Sequence, residues 1–154
     1  MKSFNLISKI CISMLLAVLV CGPLYGKDEK AKPKEPGVYI KTTDKPLIRL
    51  LPNMIFDEQG ILYIENNNPR HFLLKNIEYF VVLGKYNINV VTLNPLLFIN
   101  ASPVGKPRFI LGKDIEIDIK NTGIDLYTIK PKTLMGRGYC CIWIEDTVWD
   151  FIIE

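Results

Sequence analysis

Asp114, Glu116, Asp118 and Lys120 alternate with Ile115, Ile117 and Ile119 without a break. At helical spacing these residues would scatter charge and isoleucine around the whole circumference. At period 2 they separate into one apolar and one charged face, which predicts a strand in a sheet with one wet side. The remainder of the chain agrees with a sheet. Short runs rich in β-branched and aromatic residues occupy 37–43, 47–51, 61–65, 77–83, 88–93, 124–129, 139–144 and 148–153, and such runs read as strands. Gln59-Gly60, residues 66–69, 84–87, 121–123 and 136–138 separate them with turn formers. Residues 94–107 carry three prolines and read as an irregular excursion around a short strand at 96–99.

No convincing amphipathic helix of 10 or more residues interrupts this pattern, nor does a fixed-period repeat. The expected fold is all-β, an antiparallel β-sandwich. The alternatives are a small barrel, or an α+β domain with one short helix from Pro69 to Lys75, where proline would occupy the first turn. The terminal hairpin has its own face pattern. Trp149, Phe151 and Ile153 share one face of their strand, and Cys140, Ile142 and Ile144 share one across a tip at residues 145–147. Trp149 and Phe151 are expected in the core.

The first 26 residues read differently. Lys2 and Lys9 lead into an apolar run of 11 residues, 10–20, followed by Gly22-Pro23 and Gly26. A membrane-spanning helix needs about 20 apolar residues, so this segment is expected to be an export signal. Cleavage after Gly26 is the favoured route. The competing route lipidates Cys21, because residues 18–21 resemble bacterial lipoprotein signals, although Val20 stands where a small residue is usual. Residues 27–36, charged and proline-containing, form a linker, and residues 37–154 form a single domain.

Charge narrows the partners. After the signal, 17 basic residues face 16 acidic ones, which offers no basic footprint for nucleic acid. Membrane contact is expected only through a lipid at Cys21. Cys140 and Cys141 are the two cysteines beyond the signal. Neighbours in a strand point to opposite faces, so they read as two small apolar residues, one inside and one partly outside, in preference to a disulfide.

Catalytic chemistry has few seeds. His71 is the single histidine, which excludes a multi-histidine metal cluster and weakens triad readings, since the sequence supplies no orienting partner for it. Carboxylates spaced like Asp114, Glu116 and Asp118 lie about 6.6 Å apart along one strand face, a separation used by inverting glycosidases. A solvated strand face accounts for them more simply. Asp57-Glu58 reads as turn decoration, and Gly136-Arg137-Gly138 is no phosphate cradle. Tyr139 and Trp143 are candidates for a binding surface if their face of the sheet is open. No cofactor is implied.

The chain therefore reads as an exported bacterial envelope protein that acts by binding or assembly, its partner another envelope protein. A small envelope hydrolase built on Asp114, Glu116 and Asp118 is the second reading. An inhibitor or accessory subunit of an exported enzyme, docking by a loop or sheet edge, is the third.

Overall fold

The computed structural model describes residues 32–65, 68–101 and 105–154. The expected export segment, Cys21 and residues 27–31 of the expected linker lie outside the described residues. Twelve strands follow in chain order: β1 Gly37–Thr42, β2 Ile48–Arg49, β3 Asn53–Glu58, β4 Ile61–Glu65, β5 Arg70–Phe72, β6 Ile77–Leu83, β7 Thr92–Ala101, β8 Pro107–Leu111, β9 Ile117–Gly123, β10 Leu126–Pro131, β11 Gly138–Ile144 and β12 Thr147–Ile153. No α-helix occurs among the described residues; two 3₁₀ turns, Leu74–Asn76 and Ile88–Val90, complete the set.

The strands form two layers. One is a five-stranded antiparallel sheet in the order β2-β1-β6-β10-β9. The other runs β11-β7-β8-β4-β3-β12 and closes on itself through β11–β12, giving a six-stranded barrel to which β5 adds in parallel with β12. The all-β expectation holds, with a closed small barrel and a second sheet combined.

The terminal hairpin joins the layers. Cys140, Ile142 and Ile144 of β11, with Trp149, Phe151 and Ile153 of β12, pack against Val38, Ile40, Phe80, Val82 and Ile129 of the five-stranded sheet. The opposite faces of the same two strands contribute Cys141 and Val148 to a second core with Ile64, Leu96 and Phe109 inside the barrel. Trp149 and Phe151 are buried as expected, and the tip is a tight turn in which Glu145 takes φ 57°.

This arrangement corrects the reading of the cysteines. Both are buried, free thiols, because β11 has no wet side: one thiol enters each core. Burial pushes Cys140 up to about 11. Cys141 is raised further, first by burial and then by the neighbouring Cys140 and Asp150 charges, against an opposing bond from the Asn94 backbone N–H. A thiol held protonated and buried is a poor nucleophile. Neither cysteine should react with a water-soluble maleimide in the native protein at pH 8, and both should react in 6 M guanidinium. Rapid native labelling of either one would contradict the two-core arrangement.

Other local expectations change for physical reasons. Residues 70–72 are strand β5, and only a 3₁₀ turn at 74–76 follows, so the alternative helix from Pro69 to Lys75 is not formed; Phe72 gains more by entering the main core beside Phe151. Residues 88–90 are a 3₁₀ turn and not the start of a strand, because the Asn87 side chain accepts a bond from the Asn89 N–H and caps the turn. The supposed excursion after Asn94 is mostly the ten-residue β7. Pro95 lacks an N–H, but its carbonyl still accepts from Gly112 at 2.7 Å, and Pro107 opens β8, a position proline tolerates. Strands β3 and β8 escaped the sequence reading. Asp57 and Glu58 lie in β3; Asp57 accepts from the Gly60 N–H in the following turn, and Glu58 pairs with Arg108 at 2.9 Å.

Candidate functional site

Leu96, Leu111, Cys141 and Trp143 lie inside the barrel core or pack against it, and Asn94 of β7 is registered with Cys141 of β11. At one mouth of the barrel these strands open into a groove of ≈ 520 Å³. Val90, Leu111 and Trp143 form its apolar wall, and Asn87, Thr92, Asn94, Asp114 and Glu145 supply polar groups. Barrel mouths are a common place for ligand sites, which combine apolar walls with a few placed polar groups.

Each polar group is held by the chain around it. Asn94 is buried, and its Nδ2 donates to the Gly112 carbonyl at 3.2 Å and to Asp114 Oδ1 at 2.6 Å. Its own Oδ1 has no hydrogen-bond partner. Gly112 makes this approach feasible: a Cβ there would lie 2.8 Å from Pro95 Cγ and 3.0 Å from the Pro95 carbonyl oxygen. Any larger residue would push the segment carrying Asp114 away from β7. On the opposite side, Glu145 at the hairpin tip accepts from the Asn87 N–H at 3.2 Å, and its carbonyl takes the Trp143 indole N–H. The charged side chains lining the groove are both acidic. Among the described residues, neither Asp114 nor Glu145 takes part in an ion pair.

The sequence candidates are distributed unevenly around this site. Tyr139 and Trp143 share the barrel side of β11, but Trp143 lines the groove while Tyr139 stacks on Phe109 with centroids 4.4 Å apart. The acidic alternation is broken: β9 begins at Ile117, leaving Asp114 and Glu116 in irregular backbone. Asn94 draws Asp114 toward β7, which competes with continued strand pairing. Asp118 sits on the outer strand of its sheet, 3.6 Å from the Lys132 ammonium. Of the three carboxylates, Asp114 alone lines the groove. No cluster of three or more His, Cys, Asp or Glu able to hold a metal occurs among the described residues.

His71 lies elsewhere, in β5, with its Nδ1 2.5 Å from Glu154 Oε1. It borders a separate cavity of ≈ 380 Å³ that also includes Lys45, Arg70 and the buried Thr42, whose hydroxyl lacks a partner. Asn87, Thr92, Asn94 and Glu145 were missed as site residues. One signal was available: Asn94 stands between Leu93 and the apolar 96–99 run, and asparagine is disfavoured within strands.

Behind the groove, the Asp150 carboxylate is buried directly across the strand pair from Cys141, and Asn53 Nδ2 donates to it at 3.2 Å. Burial holds this carboxyl above its ordinary value of 3.8, opposed by hydrogen bonds from its own backbone and from Asn53. A carboxyl raised by folding favours the folded state most when protonated. Its stabilising contribution is present below pH 3.8 and is lost as pH rises through the raised value. Relative to wild type, Asp150→Asn should therefore be more stable at pH 7 than at pH 3, read from unfolding free energies in urea titrations. A pH-independent difference would mean that Asp150 is not desolvated.

Comparison of the chain with known protein families, with curated proteins and with solved structures found no match in any of the three.

Proposed function

We propose that this protein is an exported bacterial envelope domain that works by binding, with the groove at the barrel mouth as its recognition site. The observation that carries the reading is the composition of that groove: an indole and two aliphatic side chains beside five hydrogen-bonding side chains on three converging segments. Aromatic surface next to placed polar groups suits recognition. Nucleophilic catalysis would call for an activated nucleophile beside its base, whereas His71 borders a different cavity and Cys140 and Cys141 are buried. The export reading rests on residues 1–26 and their apolar run.

The test pairs location with capture. Native protein from its own cells should begin at Lys27, or at a lipid-bearing Cys21, by intact mass. The full 154 residues in the cytosol would overturn export. Tagged full-length protein should retain an envelope component that the double variant Asp114→Asn/Glu145→Gln releases. Equal retention by both would remove the groove from the function. A second reading, an inhibitor or accessory subunit that docks by a sheet edge, is favoured by β9, which has no strand on its outer side among the described residues.

A further inference from the structure

We infer that the groove at the barrel mouth is a site for an organic cation, a guanidinium or ammonium group borne by a basic side chain or a small amine. This inference deepens the binding role proposed above and rests on it. Three independent features of the groove agree. First, among the described residues both ionisable groups in its lining are carboxylates, on segments far apart in sequence, and no lysine or arginine lines it. Second, each carboxylate is anchored through one oxygen by a neutral donor and not by a cation: Asp114 by the Asn94 amide at 2.6 Å, and Glu145 by the Asn87 backbone N–H at 3.2 Å. Neutral anchoring fixes position and leaves the negative charge uncompensated. Third, Trp143 is only partly buried and its N–H is already committed to the Glu145 carbonyl. What the indole offers a ligand is therefore its ring, and tryptophan is the preferred ring for a cation.

Asn94, buried in the lining with its Oδ1 unpartnered, holds Asp114 through its Nδ2, and a carboxylate so placed suits a donor-rich ligand such as guanidinium. An anion would meet two negative charges here. A calcium ion, which takes six to eight oxygens, would have to recruit the neutral Asn and Thr side chains as well as the two carboxylates of the lining.

Titration of the full-length protein with Nα-acetyl-arginine methylamide, followed by the NMR signals of Trp143, tests the site. The citrulline analogue is the neutral control, and spermidine separates a free amine from a side chain. Arginine amide should bind about tenfold more tightly than citrulline amide, and binding should weaken as salt rises. Asp114→Asn and Glu145→Gln keep their hydrogen-bond acceptors, so each should fold normally and weaken binding about tenfold. Spermidine binding more tightly than arginine amide would support a small amine as ligand; the reverse order would support a basic side chain. Equal affinity for arginine and citrulline amides, or a stronger response to calcium, would overturn the cation assignment. If neither cationic probe binds, yet the double variant still releases its envelope component, the cation assignment fails while the groove's binding role stands.

Discussion

Replacing Phe151 by alanine should cost about 3–5 kcal/mol of unfolding free energy, against a total of about 5–15 kcal/mol for a typical domain. Phe151 is fully buried in the middle of β12. Its ring meets Phe80 of the five-stranded sheet at 5.3 Å and Phe72 of β5 at 6.3 Å. The cavity would thus open between the two layers, where strands paired on either side restrict collapse. Asp118→Asn is the matched control. That side chain is 74% exposed and its one ion pair, to Lys132, spans 3.6 Å, so the change should stay within about 0.5 kcal/mol. Denaturant unfolding of both variants decides the matter. A reversed order would mean that the layers are held together somewhere other than the terminal hairpin.

Asn53→Ala should cost nearly as much, about 2–4 kcal/mol, for a different reason. Strands β3 and β12 meet over only two registered pairs, Met54 with Thr147 and Asn53 with Val148. Asn53 reinforces this seam by donating to the Glu65 carbonyl at 2.9 Å and to the buried Asp150 carboxylate at 3.2 Å. Truncation leaves that carboxylate buried without its side-chain donor, and a buried charged acceptor that loses a hydrogen bond bears the desolvation penalty uncompensated. The double variant Asn53→Ala/Asp150→Ala should lose less than the sum of the two singles, a coupling that a double-mutant cycle reads directly. Additive losses would show that the two side chains do not act together.

Much of the β character was legible along the chain. The hairpin of β11 and β12 was read with its main-core face correctly assigned, because its bulky apolar residues alternate without interruption and a short polar tip separates the runs; the burial of its other face was not foreseen. The 59–60 turn was legible too: Gln59 and Gly60 both take positive φ, at 55° and 84°, as a two-residue hairpin loop prefers. Strands β3 and β8 were not legible. Both are short, and their runs, NMIFDE and PRFIL, mix charge, proline and apolar side chains without clean alternation. Residues 114–120 show the opposite failure. There the alternation is nearly ideal, yet the first three residues leave the strand because Asn94 hydrogen-bonds Asp114. That partner lies 20 residues away in sequence.

The candidate site divides in the same way. Trp143 and Asp114 could be singled out as residue types able to recognise a ligand, but nothing in their spacing relates them. They meet because the barrel closes through β11–β12 while β7 pairs with both β8 and β11. That closure also gives Cys140 and Cys141 their common fate, burial on opposite faces of a strand shared by two cores. Local alternation, turn chemistry and apolar runs were properties of the sequence by itself, because each depends on backbone geometry within a few residues. Sheet order, barrel closure and the composition of the groove were decided only by tertiary structure, because strand pairing satisfies the same backbone hydrogen bonds with any suitable neighbour. The choice among neighbours falls to the long-range packing of the two cores.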